Sequence, residues 1–220
     1  MKDVAAELAV FTVRAGRLEA LLLRRRGSVW ALPGGPVGEG VTIGRAALDA
    51  LAAQTGVRGI AIEQLYTLDR PPDGLAVAFL ALIAAARHPI SPGAEVVEVH
   101  WFALDDLPPL AGDAPDVLRY AHARLRAKTT YAPIAFQLLP EAFTLGELQA
   151  VYEAVLGARL DTRNFRRDVL AAGVVEPMDG VRAEGRGRPA RLYRSRGGEF
   201  SVVARERRIA RTLHRHALDD

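Results

Sequence analysis

The feature that most constrains the fold is a Pro-Gly-Gly turn followed by an alanine-rich segment. The turn is Leu-Pro-Gly-Gly at residues 32–35, and Trp-Ala at residues 30–31 leads into it. Proline and glycine in succession mark a turn. The alanine content of residues 42–54 favours a helix, which Gly56 ends. The chain must therefore pass from an extended segment through a glycine loop into a helix.

This turn and helix resemble the Nudix box, whose pattern is G-x5-E-x7-R-E-U-x-E-E-x-G-U, with U an aliphatic residue. With the first glycine of the pattern at Gly35, the frame keeps its aliphatic position at Leu51 and its closing Gly56 and Val57. The resemblance implies the α/β/α sandwich of the Nudix hydrolases. It also implies a helix face on which acids would hold magnesium against a substrate diphosphate.

The acids of the box are replaced in this chain. Its four glutamate positions are occupied by Val41, Ala50, Ala53 and Gln54. Magnesium needs hard oxygen ligands in a near-octahedral array, and alanine offers none. The acids that remain between Gly35 and Val57 are Glu39 and Asp49, and neither stands at a ligand position. We therefore expect no catalytic residue, no metal site and no cofactor.

Length and composition indicate one large or two small globular domains. The chain has 220 residues, of which 50% are hydrophobic and 25% charged, the proportions of an ordinary globular protein. It has no cysteine, which excludes disulfides and thiolate metal sites. The N-terminus lacks the pattern of a signal peptide, and the longest uncharged apolar run, residues 75–86, is too short to span a bilayer. We expect a cytoplasmic protein without a membrane partner.

Hydrophobic patterning predicts a mixed sheet held between helices in the first half. Residues 4–13 and 18–23 indicate a hairpin. Further strands are predicted at residues 59–68, 75–85 and 95–102, the last with Val97, Val99 and Trp101 on one face. A helix at residues 116–128 is predicted to close this domain.

The second half indicates an α+β winged helix-turn-helix. Thr144 and Glu147 are spaced as a capping box at the start of an amphipathic helix. A second helix, capped at Asp161 or Thr162, is predicted to end at Gly173. Residues 174–176 and 190–193 are predicted to pair as strands around an arginine-rich loop.

Positive charge is concentrated in this second half. Residues 182–196 hold six arginines against one acid, Glu184. The second helix carries arginines on one face, and the loop sequence Gly-Arg-Gly-Arg-Pro resembles the core of the AT-hook, which reads narrow A·T minor grooves. The alternative is a solvated helix surface. The predicted DNA-binding residues are Thr144, Thr162, Arg163, Asn164, Arg166, Arg167, Arg182, Arg186, Gly187, Arg188 and Arg191.

The two halves together resemble the Nudix-related transcriptional regulators of NAD metabolism. The more specific motifs are FTLGELQ at residues 143–149, RNFRR at 163–167 and GRGRPARLY at 185–193. The resemblance implies a homodimeric repressor that binds a palindromic operator and senses ADP-ribose or a related nucleotide. Some members of the family regulate sugar catabolism instead. Two other readings are an active nucleotide hydrolase with displaced acids and a DNA-binding scaffold without an effector.

We accordingly predict four segments. They are a Nudix-like effector-sensing domain at 1–130, a connector at 131–142, a winged helix-turn-helix at 143–200 and a basic tail at 201–220. The connector is too apolar for a free linker, so we expect it to pack on a domain and to couple the two. The predicted effector-binding residues, arginines for a diphosphate and aromatics for a base, are Arg24, Arg26, Trp30, Arg45, Tyr66, Arg70 and Phe79. For the aromatic residues the alternative is a place in the core.

Overall fold

A six-stranded mixed sheet is built around the long strand β1, Asp3–Arg14. The other strands are β2 (Arg17–Arg24), β3 (Gly34–Pro36), β4 (Glu63–Arg70), β5 (Gly74–Leu82) and β6 (Glu98–Ala103). Their order is β4-β5-β1-β2-β6, and β3 pairs with β1. Strands β1 and β5 are parallel, whereas β2–β6, β4–β5 and β1–β3 are antiparallel. The computed structural model describes residues 3–70, 72, 74–129, 133–182 and 189–196.

The chain divides into two compact units. One comprises Met1–Arg14 and Leu18–Ala123, and the other comprises Ala15–Arg17 and Arg124–Asp220. The first contains the sheet and the helix α1, Ile43–Thr55, and the division falls within the helix α2, Ala114–Thr129. None of the helices in the described ranges is long and apolar enough to cross a membrane.

Both faces of β1 are buried, as a sandwich of sheet and helices requires. Leu8 and Val10 lie in a core cluster with Leu51 of α1. The residues between and after them, Ala9 and Phe11, are also fully buried. Helix α2 contributes its own buried stripe, at Val117, Leu118 and Ala121. The predicted α/β/α sandwich is therefore the observed fold.

Helix α1 is capped at both ends and anchored by a later loop. Its N-cap is Thr42, and Gly56 ends it in the left-handed conformation with φ 79°. The backbone N–H of Gly93 donates to the carbonyl of Gln54 (3.1 Å). This approach is so close that a Cβ on Gly93 would lie 1.8 Å from the carbonyl oxygen of Ala53. Only glycine fits there, and the last turn of α1 is therefore held by its neighbours.

Two predicted strands begin later than the sequence pattern indicated. The strand predicted at 59–68 begins at Glu63, because Gly59 has φ +68° and Ile60 and Ile62 pack on the core from a loop. The strand predicted at 95–102 begins at Glu98. Val97 precedes it and is 51% exposed, so it does not share the inward face of Trp101.

The second unit has the architecture of a winged helix. It comprises α3 (Leu145–Leu156), α4 (Thr162–Ala172) and the antiparallel strands β7 (Val175–Arg182) and β8 (Ala190–Ser195). The rings of Tyr152 and Phe165 join the two helices at 5.6 Å. Phe143 is fully buried and exchanges two backbone hydrogen bonds with Tyr193 of β8, at 2.9 and 2.7 Å. The predicted winged helix-turn-helix is thus confirmed as a fold.

The predicted connector contains a short 3-10 helix, Pro133–Leu138. It packs against α3, and Ala135, Leu138 and Leu139 are buried. The ring of Phe136 lies 5.7 Å from that of Phe143. This segment therefore contributes to the core of the second unit.

The capping box at the start of α3 gives a stability prediction. Thr144→Ala should lower the free energy of unfolding by about 1 kcal/mol, because the hydroxyl that accepts from the Glu147 N–H is lost. Thr144→Ser keeps that hydroxyl and should lose less. Chemical denaturation followed by circular dichroism measures both, and an equal loss in the two variants would show that the cap contributes nothing.

Candidate effector cleft and nucleic-acid interface

A cleft of about 910 Å³ lies beside the start of β1 and the glycine loop. Its volume is within the range of small-molecule sites. Loop residues 34–40 line it, and its two basic lining residues are Arg25 and Arg70. The loop is bound to β1 by backbone hydrogen bonds, from Leu8 to the carbonyl of Pro33 (2.9 Å) and from Val37 to the carbonyl of Val4 (2.8 Å).

Arg70 is held in the cleft by two carboxylates. Its Nη2 donates to Glu7 Oε1 at 2.7 Å and its Nε donates to Asp113 Oδ2 at 3.1 Å. Burial alone would lower the pKa of Arg70, but the bonds to Glu7 and Asp113 outweigh it and raise that pKa. The second oxygen of Glu7 is buried and has no hydrogen bond within the described part of the chain. The arginine therefore stays charged and is presented to the cleft.

Gln54 fastens the glycine loop to α1. Its Oε1 accepts from the Gly34 N–H at 2.9 Å, and its Nε2 donates to the Gly34 carbonyl at 2.7 Å. The backbone of Gly34 has φ +155°, and a Cβ there would lie 2.2 Å from the carbonyl oxygen of Ala6. The residue at position 34 is thus restricted to glycine.

The residues at the acidic positions of the Nudix box do not fit a magnesium ion. Gln54 is engaged with Gly34, and Ala50 and Ala53 have no ligand atom in their side chains. Asp49 accepts from Arg45 Nε at 2.8 Å on an exposed face of α1. Among the described residues no group of three His, Asp or Glu side chains could hold a metal.

Of the seven predicted effector residues, Arg70 lines the cleft and the others lie elsewhere. Phe79 belongs to the hydrophobic core. The ring of Tyr66 packs at 4.6 Å on that of Tyr120, and burial, then Asp116 and Asp113, raise the pKa of its hydroxyl. Arg45 and Arg26 are exposed and do not line the cleft.

Two other predicted effector residues, Arg24 and Trp30, belong to an aromatic cluster outside the cleft. The ring of Trp30 meets that of Phe102 at 4.6 Å, and the guanidinium of Arg24 lies 5.5 Å from the Trp30 ring centre while pairing with Glu98. The neighbouring Arg25 lines the cleft instead, and it was not among the predicted effector residues. Arg25 follows the last residue of β2, so strand alternation could have indicated that it and Arg24 point apart.

In the second unit, α4 exposes a face of basic residues. Arg163, Arg166 and Arg167 are exposed at helical spacing, and Leu170, 49% exposed, continues the same face. Arg167 pairs with Asp168 at 2.9 Å. Arg163 and Arg166 have no ion pair with any described residue, so their charge is available to an anionic partner.

The turn before α4 is held firmly. Gln149 Nε2 donates to the carbonyl of Leu160 (3.0 Å) and to the hydroxyl of Thr162 (3.2 Å). Burial alone would raise the pKa of Glu153, but hydrogen bonds from Leu160 and Gln149 and the ion pair with Arg159 outweigh it and lower that pKa. Asp161 caps α4 by accepting from the Asn164 N–H at 2.7 Å. The basic face is therefore carried on a helix whose start is fixed.

Two predicted DNA-binding residues make structural contacts within the second unit. Thr144 is fully buried, and its hydroxyl accepts from the Glu147 N–H at 3.0 Å. Arg182 donates from Nη1 to both carboxylate oxygens of Glu147, at 2.7 Å to Oε2, and from Nη2 to the carbonyl of Ala142 at 3.0 Å. Arg182 thus joins β7 to the start of α3.

The other predicted DNA-binding residues of the wing lie on β8 or in the loop before it. Arg191 of β8 is exposed. Arg186, Gly187 and Arg188 lie outside the described residues, as does the predicted tail at 201–220.

Comparison with known proteins identifies both units. The profile of the NUDIX domain matches residues 4–123, and that of the NrtR DNA-binding winged helix domain matches residues 135–195. The chain is 35% identical over 206 residues to the ADPR responsive transcriptional repressor NtrR of Acinetobacter baylyi, covering 87% of this chain and 81% of that protein.

Two crystal structures from Shewanella oneidensis are also similar. NrtR complexed with a 27mer DNA superposes with a TM-score of 0.76 at 32% identity, covering 88% of this chain and 93% of that one. The NUDIX domain of NrtR complexed with ADP ribose gives a TM-score of 0.52 at 28% identity, covering 57% of this chain and 89% of that one. The chain belongs to the Nudix family, among the members in which an NrtR DNA-binding winged helix domain follows the Nudix domain.

Proposed function

We propose that this chain is a DNA-binding transcriptional repressor whose Nudix domain is a catalytically inactive sensor of ADP-ribose or a related nucleotide of NAD metabolism. The observation that carries the proposal is the basic face of α4, with Arg163 and Arg166 unpaired among the described residues. The similarity to the ADPR responsive repressor of A. baylyi supports the choice of effector. As a regulator of genes it acts in the cytoplasm.

The arginine face suits a DNA groove. Arginine pairs in a bidentate manner with guanine in the major groove and contacts phosphates on either side. One helix of this size reads little sequence alone. Two copies related by a two-fold axis, with recognition helices about 34 Å apart, would grip successive major grooves of a palindromic operator. The proposed regulator is therefore a homodimer.

The two arginines of the cleft suit an anionic effector, and Asp3, Glu7 and Glu39 also line it. Phosphate oxygens accept the same guanidinium N–H bonds that Glu7 and Asp113 accept from Arg70. A diphosphate bound at Arg70 and Arg25 would compete with those carboxylates. Asp113 immediately precedes α2, and its carbonyl accepts from the Val117 N–H at 3.0 Å. Such a ligand would bind more tightly to a conformation in which the two carboxylates have released Arg70. A ligand shifts a conformational equilibrium only through such a difference in affinity between the two conformations.

Coupling between effector and DNA must be reciprocal. If the effector lowers the affinity for DNA by some factor, DNA lowers the affinity for the effector by the same factor. A sensor of this kind gains nothing from destroying its ligand, which agrees with the replacement of every glutamate of the box.

Substitutions on α4 test the DNA interface. Arg163→Ala and Arg166→Ala should each weaken binding by about 1–3 kcal/mol, because each removes a groove-facing cation. Fluorescence anisotropy at fixed salt, on duplexes selected by the wild-type protein from random sequences, measures this effect. Arg119→Ala removes the same charge from an exposed position of the first unit and should bind normally. Unchanged affinity and sequence preference in both α4 variants would contradict the assignment.

Substitution of Arg70 tests the cleft. Arg70→Lys keeps the charge but loses the planar fork, and should weaken ADP-ribose binding by about tenfold. Isothermal titration calorimetry measures the dissociation constant. Arg45→Lys is the matched control, because Arg45 is exposed on α1 outside the cleft. If Arg45→Lys bound ADP-ribose more weakly and Arg70→Lys bound it normally, the effector site would not be the cleft at Arg70.

Catalytic inactivity is tested directly. The full-length protein with ADP-ribose and magnesium should release no AMP above the rate without protein, since no converging carboxylates hold the metal. Chromatography of the nucleotides after prolonged incubation measures the product. Release of AMP that scales with protein concentration and stops with a chelator would identify an active hydrolase instead.

A further inference from the structure

The side chain of Gln54 binds the peptide groups of Gly34 as one amide binds another. It accepts from the Gly34 N–H at 2.9 Å and donates to the Gly34 carbonyl at 2.7 Å, in a half-buried position. Of the carboxamide and the carboxylate, which differ little in size, only the carboxamide can do both. A carboxylate accepts hydrogen bonds but cannot donate one. An ionised carboxylate would therefore face the Gly34 carbonyl with an unfavourable oxygen–oxygen contact.

The end of helix α1 that carries Gln54 is fixed by its neighbours. Gln54 lies in the last turn of α1, where its own carbonyl accepts from the Gly93 N–H at 3.1 Å and that of Thr55 accepts from the Ser91 N–H at 3.0 Å. A Cβ on Gly93 would lie 1.8 Å from the Ala53 carbonyl oxygen. Since the helix end cannot shift freely, the carboxamide anchors the loop to α1, in addition to the backbone hydrogen bonds that join the loop to β1.

Gly34, the partner of Gln54 in this contact, belongs to the loop that forms one wall of the cleft. Gly34 and the residues that follow it to Gly40 line the cleft. In the β1–β3 pairing Gly34 lies opposite Glu7, whose carboxylate holds Arg70. A displacement of Gly34 would therefore alter both the loop wall and the strand that presents the basic group of the site.

We propose that Gln54 is a positioning residue for the effector, whose carboxamide holds the glycine loop in the shape of the cleft without a metal ion. Magnesium is the expected occupant of the acidic face in a Nudix hydrolase, but here this position is neutral and already bonded to the loop. Effector affinity should accordingly not depend on divalent cations. The inference rests on the proposed function of the cleft as an ADP-ribose site.

The decisive variant is Gln54→Glu, because its hydrogen-bonding capacity changes with pH. A carboxylic acid, like a carboxamide, has one donor and one acceptor, whereas a carboxylate has only acceptors. The ordinary pKa of glutamate is about 4.3, and burial beside the Gly34 carbonyl raises it. The variant should therefore keep the loop in place at about pH 5 and lose it at about pH 8.

Calorimetry with ADP-ribose in the presence of a chelator gives the first readout. The Gln54→Glu protein should bind about tenfold more weakly than wild type at the higher pH and approach wild type at the lower pH. Gln54→Met, which has neither hydrogen bond, should bind weakly at both. Gln64→Glu makes the same chemical change at an exposed position of β4 and should follow wild type. Wild-type binding should be the same with magnesium and with chelator.

Hydrogen exchange in the free protein gives a second readout that needs no ligand. Peptides covering residues 33–40 should exchange faster in Gln54→Glu than in wild type at the higher pH, and equally at the lower pH. Equal exchange at both pH values, or wild-type affinity of Gln54→Glu at the higher pH, would overturn the proposal. A wild-type protein that does not bind ADP-ribose would instead contradict the proposed function, and the exchange result would still decide the role of Gln54.

Discussion

The contact between the glycine loop and β1 is the constraint on which the cleft depends. A Cβ at Gly34 would lie 2.2 Å from the carbonyl oxygen of Ala6, so the loop lies as close to the strand as backbone atoms allow. This approach permits the short pairing of β3 with β1. The same strand positions Glu7, and through it Arg70. One glycine thereby sets both the wall of the cleft and the group that presents its charge.

Charged residues have different functions in the two units. Arg70 is neutralised by carboxylates in the cleft. In the second unit Arg182 and Arg194 are bound to Glu147 and Glu176, which stabilises the wing. Arg163 and Arg166 are exposed without such partners among the described residues. Net charge alone cannot distinguish a basic residue that holds the fold from one that is available to DNA.

The sequence predicts the elements better than it predicts the site. Local signals placed the starts of α1 and α3 within a residue or two, because N-caps such as Thr42 and Thr144 act over one turn. The lining of the cleft depends on which segments converge from distant parts of the chain. Phe79 was therefore predicted to bind the effector although it lies in the core, and Arg25, which lines the candidate cleft, was not among the predicted residues. Burial of Thr144 likewise depends on tertiary packing that a capping motif does not reveal.

The proposed function, a sensor on a hydrolase fold, raises a physical problem that the replacement of the acids of the box would solve. A row of carboxylates without its metal would repel itself and the phosphates of a ligand. Alanine at two of the four positions and valine at another remove that repulsion. At the remaining position the carboxamide of Gln54 attaches the loop to α1 with two neutral hydrogen bonds. Under the proposed function, binding is then separated from hydrolysis, because the neutral side chains at these positions do not hold the metal ion that polarises a phosphoanhydride.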